Sequence, residues 1–333
     1  MNKIFFIAEA GVNHNNKLKL AFKLVDAAKS AGADAIKFQV FKTENYVSKK
    51  APLANYQKKN TKKINQFKLI KNLELSEINL ERIIKYCKSK KIKFLASAFD
   101  IWGINFLKKK NITTFKIPSG EINNFLYLRE IAKSAKKIIL STGMSNEREI
   151  SEALNFLYNN GIKKSQIILL QCTTEYPAPF SELNLKVIKK FKRKFKVKVG
   201  LSDHSVGEIA PIIAVSMGAE IIEKHLTLNR KLSGPDHKAS IEPNELKILI
   251  KKIKLAQLSL GSELKKPTKS EKKNIKIARK SIYASKNIIK GEIYTEENIC
   301  LKRPANGINA SKFFKIIGKK AIKNFKKDEK IIL

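Results

Sequence analysis

Residues 115–121 read FKIPSGE, a short β-type run that delivers a cation, a hydroxyl, a glycine and a carboxylate between Lys116 and Glu121. A strand end needs none of these groups for its own stability, whereas a site that holds an anionic ligand and transforms it needs all of them. Similar groups recur at the ends of the other β-type runs: Glu9; Lys37 and Gln39; Ser97; Lys116, Ser119 and Glu121; Ser141; Thr174 and Tyr176; Ser202 and His204; Glu223 and His225. Any one of them is as readily explained as a helix cap or an ion-pair partner. A polar group at every end points instead to a shared site. Lys37 and Lys116 are costly to bury unless an anion meets them, and lysine binds phosphate well as a point charge. With hydroxyls at Ser97, Ser119, Ser141 and Ser202, the set fits a small ligand that carries both phosphate and carboxylate.

Histidine sharpens the reading, because the chain has only four, and His14, His204, His225 and His237 all lie at or just past a β-type run. His204 and His225 end the seventh and eighth runs, whose strands would be neighbours about 4.8 Å apart. At that separation two imidazoles reach one metal ion at about 2.1 Å each. For either alone, a hydrogen-bonded rim histidine is the simpler explanation. Together, with Glu223 and Asp236 available as ligands or as groups behind the ligands, they read as a divalent metal site. Nitrogen with oxygen donors suits Mn²⁺ best, with Mg²⁺ or Co²⁺ as alternatives.

These residues need a scaffold that gathers them. Read for periodicity, residues 1–260 alternate β-branched or aromatic runs (3–9, 34–39, 92–97, 114–119, 137–142, 167–172, 197–202 and 219–225) with amphipathic helices. Among the helices are 18–31 and 147–160, the second stopped at Gly161. Eight β/α units in roughly 250 residues is the arithmetic of an α/β fold with a closed parallel (β/α)8 barrel, a TIM barrel; an open doubly wound sheet is the rival. In the barrel all eight C-terminal strand ends share one mouth. Residues 40–75, polar and lysine-rich, follow the second strand as a candidate lid. Residues 261–274, GSELKKPTKSEKKN, read as a linker, and 275–333 as a small β-rich module.

The formal charge is +39, from 68 basic and 29 acidic residues, but the excess is spread over nearly every segment as lysine. A solvated basic surface explains it, and the basic runs lack the interleaved aromatics that single-strand binding needs, so no nucleic-acid partner is expected. A positive field also draws in a small multi-anionic substrate. A basic nucleic-acid or carbohydrate binding protein is the non-enzyme alternative, and the ordered rim polarity argues against it. Cys87, Cys172 and Cys300 form no metal or disulfide spacing, which fits a reducing cytoplasm. IFFIA is too short for a signal peptide and no 18-residue apolar run occurs, so neither export by that route nor membrane insertion is expected.

The motifs IAEAGVNHN, KFQ, KIPSGEI, STGMS, CTTEYPAP, GLSDHS, EKHLTLN, GPDHKASIEP and ARKSIYA…KGE…KRP span practically the whole chain. Together they closely resemble the sialic acid synthase family, in which a phosphoenolpyruvate-condensing TIM barrel precedes a small antifreeze-like (SAF, β-clip) domain that caps the partner's barrel in a domain-swapped homodimer. The resemblance implies that Lys37, Gln39, Ser97, Lys116, Ser119, Ser141 and Ser202 hold phosphoenolpyruvate and that His204 and His225 carry the metal. It places Glu9, Thr174, Tyr176 and Asp236 against an N-acetylated aldose, with Glu9, Lys37, Lys116, Tyr176 and Asp236 in the chemistry. Arg303 of KRP would reach the sugar from the other subunit. Two positions depart from the family pattern: Thr174 stands where sialic acid synthases tend to have Asn, and Ser97-Ala98 replaces Thr-Pro. TTEYPAP looks more like the legionaminic acid branch, whose substrate is 2,4-diacetamido-2,4,6-trideoxymannose rather than N-acetylmannosamine. A pseudaminic acid synthase, or a related condensing barrel that uses a phosphorylated aldose, is the alternative within the same chemistry.

Overall fold

The computed structural model describes residues 3–54, 57–58 and 65–333. All eight expected strands form: β1 Phe5–Gly11, β2 Ala35–Val40, β3 Lys93–Ala98, β4 Thr114–Ile117, β5 Lys137–Ser141, β6 Ile167–Cys172, β7 Lys198–Asp203 and β8 Ile221–His225. They pair in parallel in the order β3-β2-β1-β8-β7-β6-β5-β4, and the two ends of that ladder, β3 and β4, lie side by side. The barrel is therefore nearly closed, and the open-sheet alternative falls. β4 is shorter than expected because Pro118 has no N–H to offer the ladder; a 3₁₀ turn, Ser119–Glu121, follows it.

Strand alternation divides the side chains into two sets. One set points outward and packs on the helices: Phe6, Ala8, Ile36, Phe38, Leu140, Leu169, Val199 and Ile222 belong to the main apolar core. The inward set changes character along the barrel axis. Its middle layers are apolar, with Phe5, Ile7, Ala35, Leu95, Ile139, Ile168, Leu170 and Ile221 forming a separate cluster in the interior, below which Lys93, Thr114, Lys137 and Lys198 line the other end. Two residues further along each strand the inward positions turn polar, to Glu9, Lys37, Ser97, Ser141, Ser202 and Glu223. A dry plug thus supports a polar mouth. The helices are cut to length by local signals. Leu18–Ala31 ends on Gly32 with φ of 89°, and Glu147–Asn159 begins with a capping box between Asn146 and Glu149.

The segment after β2, expected as a polar lid, packs Phe41, Leu53, Leu69 and Leu73 against Val12 of the loop after β1 and carries the short helices Thr43–Tyr46 and Gln66–Lys71. Glu74 ties its ends together by accepting from the Thr43 backbone and hydroxyl, both at 3.0 Å. Residues 55–56 and 59–64 of this segment lie outside the described residues. Among the described residues no helix is long and apolar enough to cross a membrane.

The chain divides into two compact units, Met1–Gly261 and Ser262–Leu333. From residue 269 on, the stretch expected as a linker is helical, Lys269–Ala278, capped by Thr268 and Glu271. The rest of the second unit has an antiparallel pair, β9 Ser281–Ala284 and β10 Ile299–Lys302, over a core that includes Ile282, Ile288, Tyr294, Ile299, Phe325 and Ile331.

Gly200 shows how tightly the barrel interior is filled. A Cβ there would run into the Ile221 carbonyl and Leu170 Cδ2. Gly200→Ala should lower unfolding free energy by about 2 kcal/mol, measured by denaturant titration. Gly120→Ala, whose Cβ meets nothing within 4 Å, should stay within about 0.5 kcal/mol of the parent. Equal effects of the two would contradict the packing described.

Candidate active site

The inward polar residues converge on one cavity of about 290 Å³ at the C-terminal mouth of the barrel. Glu9, Lys37, Gln39, Ser97, Lys116, Ser119, Ser141, Thr174, Tyr176, Ser202, His204, Glu223, His225 and Asp236 all line it. At its floor sits a charged cluster almost without solvent. Lys37 Nζ lies 3.0 Å from Glu9 Oε2 and 3.6 Å from Glu223 Oε1, and Lys116 Nζ lies 3.4 Å from Glu223 Oε1. Lys37 also donates to Ser97 Oγ at 3.1 Å, and Ser202 Oγ donates to Glu223 Oε1 at 3.1 Å.

Glu223, expected near the metal as a ligand or a group behind the ligands, is the counter-charge of both lysines. Burial alone would raise its pKa, yet Lys116 and Lys37 hold it below the usual carboxylate range. Glu9 goes the other way. Burial and the charge of Glu223 outweigh Lys37 and Lys116 and push its pKa up to about 7. Lys37 stays charged because Glu223 and Glu9 overcome its desolvation, whereas burial lowers the pKa of Lys116. The cluster thus sets two lysines beside one carboxylate held below its usual range and another, Glu9, that ionises only near neutrality, an arrangement that leaves room for an anionic ligand.

Beside this cluster, Tyr176 stacks on His204 with ring centroids 4.1 Å apart, His204 and His225 centroids are 5.4 Å apart, and His225 is the register partner of Glu9. Cys172, which the cysteine spacing gave no role, is buried in the cavity wall with Sγ 3.8 Å from His204 Nδ1. Its signal was its position, since it lies two residues past the inward-facing Leu170. Gly143 leaves room beside it, because a Cβ there would collide with Thr174 Oγ1. The Gly143 N–H donates to Ser119 Oγ at 2.9 Å.

Three residues singled out in the sequence, Glu121, His14 and His237, do not line the cavity. Glu121 turns away from it and accepts from Asn124 Nδ2 at 2.7 Å, beside the start of the helix Phe125–Ala132. His14 and His237 are loop latches: His14 Nδ1 accepts from the Asn16 N–H at 2.9 Å, and His237 Nδ1 is 2.7 Å from Thr227 Oγ1. Arg303 belongs to the second unit and is exposed. The turn after it is held by Tyr283 Oη, which donates to the Pro304 carbonyl at 3.0 Å.

Comparison with known proteins agrees with the geometry. The NeuB family model matches residues 24–265, and the SAF domain model matches residues 279–331. The chain belongs to the NeuB family. It is 51% identical over 332 residues to N,N'-diacetyllegionaminic acid synthase of Campylobacter jejuni, covering 99% of both chains. It is 41% identical over 324 residues to the enzyme of the same name from Legionella pneumophila, covering 96% of this chain and 91% of that one. A solved N-acetylneuraminic acid (sialic acid) synthetase from Leptospira borgpetersenii superposes with a TM-score of 0.72 at 35% identity, over 82% of this chain and 90% of that one. The resemblance drawn from the motifs and the TIM barrel followed by a SAF domain both hold.

The donor set at the imidazoles suits a divalent ion. His204 Nδ1 lies 2.7 Å from the Thr173 carbonyl and donates its N–H to it; burial disfavours a charge on this ring, but Cys172, that carbonyl and Asp203 raise its pKa, so a metal ion on Nε2 would displace a proton. His225 Nδ1 is buried without a hydrogen bond, and the nearest carboxylate oxygen, Asp236 Oδ2, is 3.8 Å away. Burial, with the charges of His204 and the lysines, holds the His225 pKa well below its ordinary value, so the imidazole is neutral and able to donate. Among the described residues no group of three or more His, Cys, Asp or Glu is arranged to hold a metal. Any ion here would complete its shell with oxygens from substrate or water.

The raised pKa of Glu9 has a consequence for stability. Because the folded state holds this proton up to about pH 7 while the unfolded chain releases it near pH 4.5, the native state binds the extra proton in that window and loses stability as pH rises through it. Relative to Glu9→Gln, the parent should lose about 3 kcal/mol between pH 4.5 and 7.5, followed by denaturant titration across pH. Parallel pH profiles for the two proteins would contradict the assignment.

Proposed function

We propose that the protein condenses phosphoenolpyruvate with an N-acetylated aldose and water to give a nine-carbon 2-keto sugar acid and phosphate. The observation that carries this reading is the pair of buried lysines, Lys37 and Lys116, at the cavity floor, surrounded by Gln39 and the hydroxyls of Ser97, Ser119, Ser141 and Ser202. Few small ligands other than a phosphorylated carboxylate would use so many cationic and hydroxyl groups in so small a space. Relatives named as synthases of diacetyllegionaminic acid at 51% and 41% identity support 2,4-diacetamido-2,4,6-trideoxymannose as the aldose. N-acetylmannosamine, giving N-acetylneuraminate, is the second candidate, favoured by the Leptospira likeness.

In this reading Lys37 and Lys116 bind the phosphoryl and carboxylate groups and stabilise the departing phosphate. His204 and His225 would hold a divalent ion, Mn²⁺ in first place, that supplies Lewis-acid polarisation of the sugar aldehyde. Glu9, with a pKa near ambient pH, is suited to take a proton from the water that adds at C2 and to face the positive charge that develops there. Tyr176 is stacked on His204 and stands edge-on to His225, which positions it to orient the aldose beside the imidazoles. Asp236, whose pKa burial raises to about 6 against the charges of His204 and Lys37, lies close enough to His225 to share a sugar hydroxyl proton. Thr174 Oγ1 and Ser141 Oγ are buried without hydrogen-bond partners, groups that a polar ligand would satisfy.

We further infer that the SAF module acts on the site of a second subunit in a domain-swapped homodimer, with Arg303 as its contact to the sugar. The free cysteines Cys87, Cys172 and Cys300 fit a reducing cytoplasm.

Phosphate release from phosphoenolpyruvate, followed with each candidate aldose before and after chelation, tests the reading. It should be fastest with 2,4-diacetamido-2,4,6-trideoxymannose, at least tenfold above N-acetylmannosamine in kcat/KM, and should fall to background with a chelator and return with Mn²⁺. No release with any N-acetylated aldose would overturn the activity, and chelator-resistant release would overturn the metal.

A further inference from the structure

Behind the two imidazoles, on the outer side of the barrel wall, lies an ion pair that the chemistry above does not use. Asp203 and Lys224 are register partners on β7 and β8. Strand alternation turns them away from the cavity into the layer between sheet and helices, where Leu201 and Ile222 are their aliphatic neighbours along the strands. The Lys224 side chain is 2% exposed and that of Asp203 0%. Lys224 Nζ donates to Asp203 Oδ2 and to the Ser205 carbonyl, the latter at 2.7 Å. Asp203 Oδ1 accepts from the Ser205 N–H at 2.9 Å and from Ser205 Oγ at 2.7 Å.

His204 is therefore enclosed between two residues that are both bonded to Lys224, and Lys224 immediately precedes His225. Buried ion pairs add little net stability, because desolvation offsets the Coulomb attraction, and a pair of well-packed aliphatic residues serves a core as well or better. This network does what an aliphatic pair cannot: its directional bonds fix the turn at 203–205 against the end of β8. Resting on the reading of His204 and His225 as ligands of one divalent ion, we propose that Asp203, Lys224 and Ser205 are positioning residues that set the spacing and aim of the two imidazoles.

The test is Mn²⁺ binding to the full chain, by calorimetry or electron paramagnetic resonance, together with the visible absorption spectrum of the Co²⁺-loaded protein. Asp203→Asn with Lys224→Met removes both charges at similar volume and leaves no lone charge buried. The double variant should melt within a few degrees of the parent, bind Mn²⁺ about tenfold more weakly and show a shifted Co²⁺ band. Unchanged Mn²⁺ affinity and an unchanged Co²⁺ spectrum would overturn the proposal, whatever happens to the melting temperature. Should the double variant not fold, Ser205→Ala, which removes one of the bonds to Asp203, should weaken Mn²⁺ binding about threefold; parent-like affinity there overturns the proposal equally. A parent protein that binds neither ion would instead overturn the metal reading itself, and the positioning role with it.

Discussion

Two ammonium groups and two carboxylates share the floor of a barrel mouth where none is more than 4% exposed. Their mutual compensation is the constraint from which the rest of the site follows. At an effective dielectric near 20, a pair of unit charges about 4 Å apart interacts by about 4 kcal/mol, so no member can be removed without leaving its partners uncompensated. The compensation is nonetheless incomplete, because Glu9 ionises only near neutral pH. A tightly balanced cluster would offer a multi-anionic ligand no net attraction, and one without Glu223 would leave two buried lysines poorly compensated. The observed arrangement lies between these limits: stable enough to persist empty, cationic enough to bind.

The barrel makes this arrangement possible by separating two tasks along one axis. Aliphatic side chains occupy the middle of the interior and pin the strand register. The polar groups two residues later can then be fixed without any of them having to hold the fold together. The buried outer face of the same strands is apolar except at Gln171, which bonds the Leu183 carbonyl, and at Asp203 and Lys224, which stand behind the imidazoles. The charged floor and the imidazole wall share a cavity of about 290 Å³, which places a three-carbon phosphorylated acid and the reacting end of an aldose within reach of each other.

Much of this was legible in the sequence because a parallel barrel converts position on a strand directly into position in space. Once eight runs with period-two alternation are recognised, Lys37, Lys116, His204 and His225 must face one mouth. What escaped had specific causes. Glu223 precedes His225 by two residues on the same inward face, so sequence position alone does not tell a group near the metal from a counter-charge of the lysines. Glu121 lies past Pro118, where strand parity no longer applies and a 3₁₀ turn sets the direction instead. Cys172 was judged by its distance from other cysteines rather than by its parity with Leu170. The apolar anchors of the segment after β2, Leu53, Leu69 and Leu73, follow no helical or strand period, so that segment read as polar. Nothing in composition marks Asp203 and Lys224 as a buried pair rather than two surface charges.

A crystal structure of the protein with phosphoenolpyruvate and Mn²⁺, with anomalous scattering collected at the manganese edge, addresses the central claim most directly. The account predicts an anomalous peak shared by His204 and His225, with phosphate and carboxylate oxygens of the ligand within hydrogen-bond distance of Lys37 and Lys116. A ligand bound away from both lysines, or manganese held without either imidazole, would contradict it.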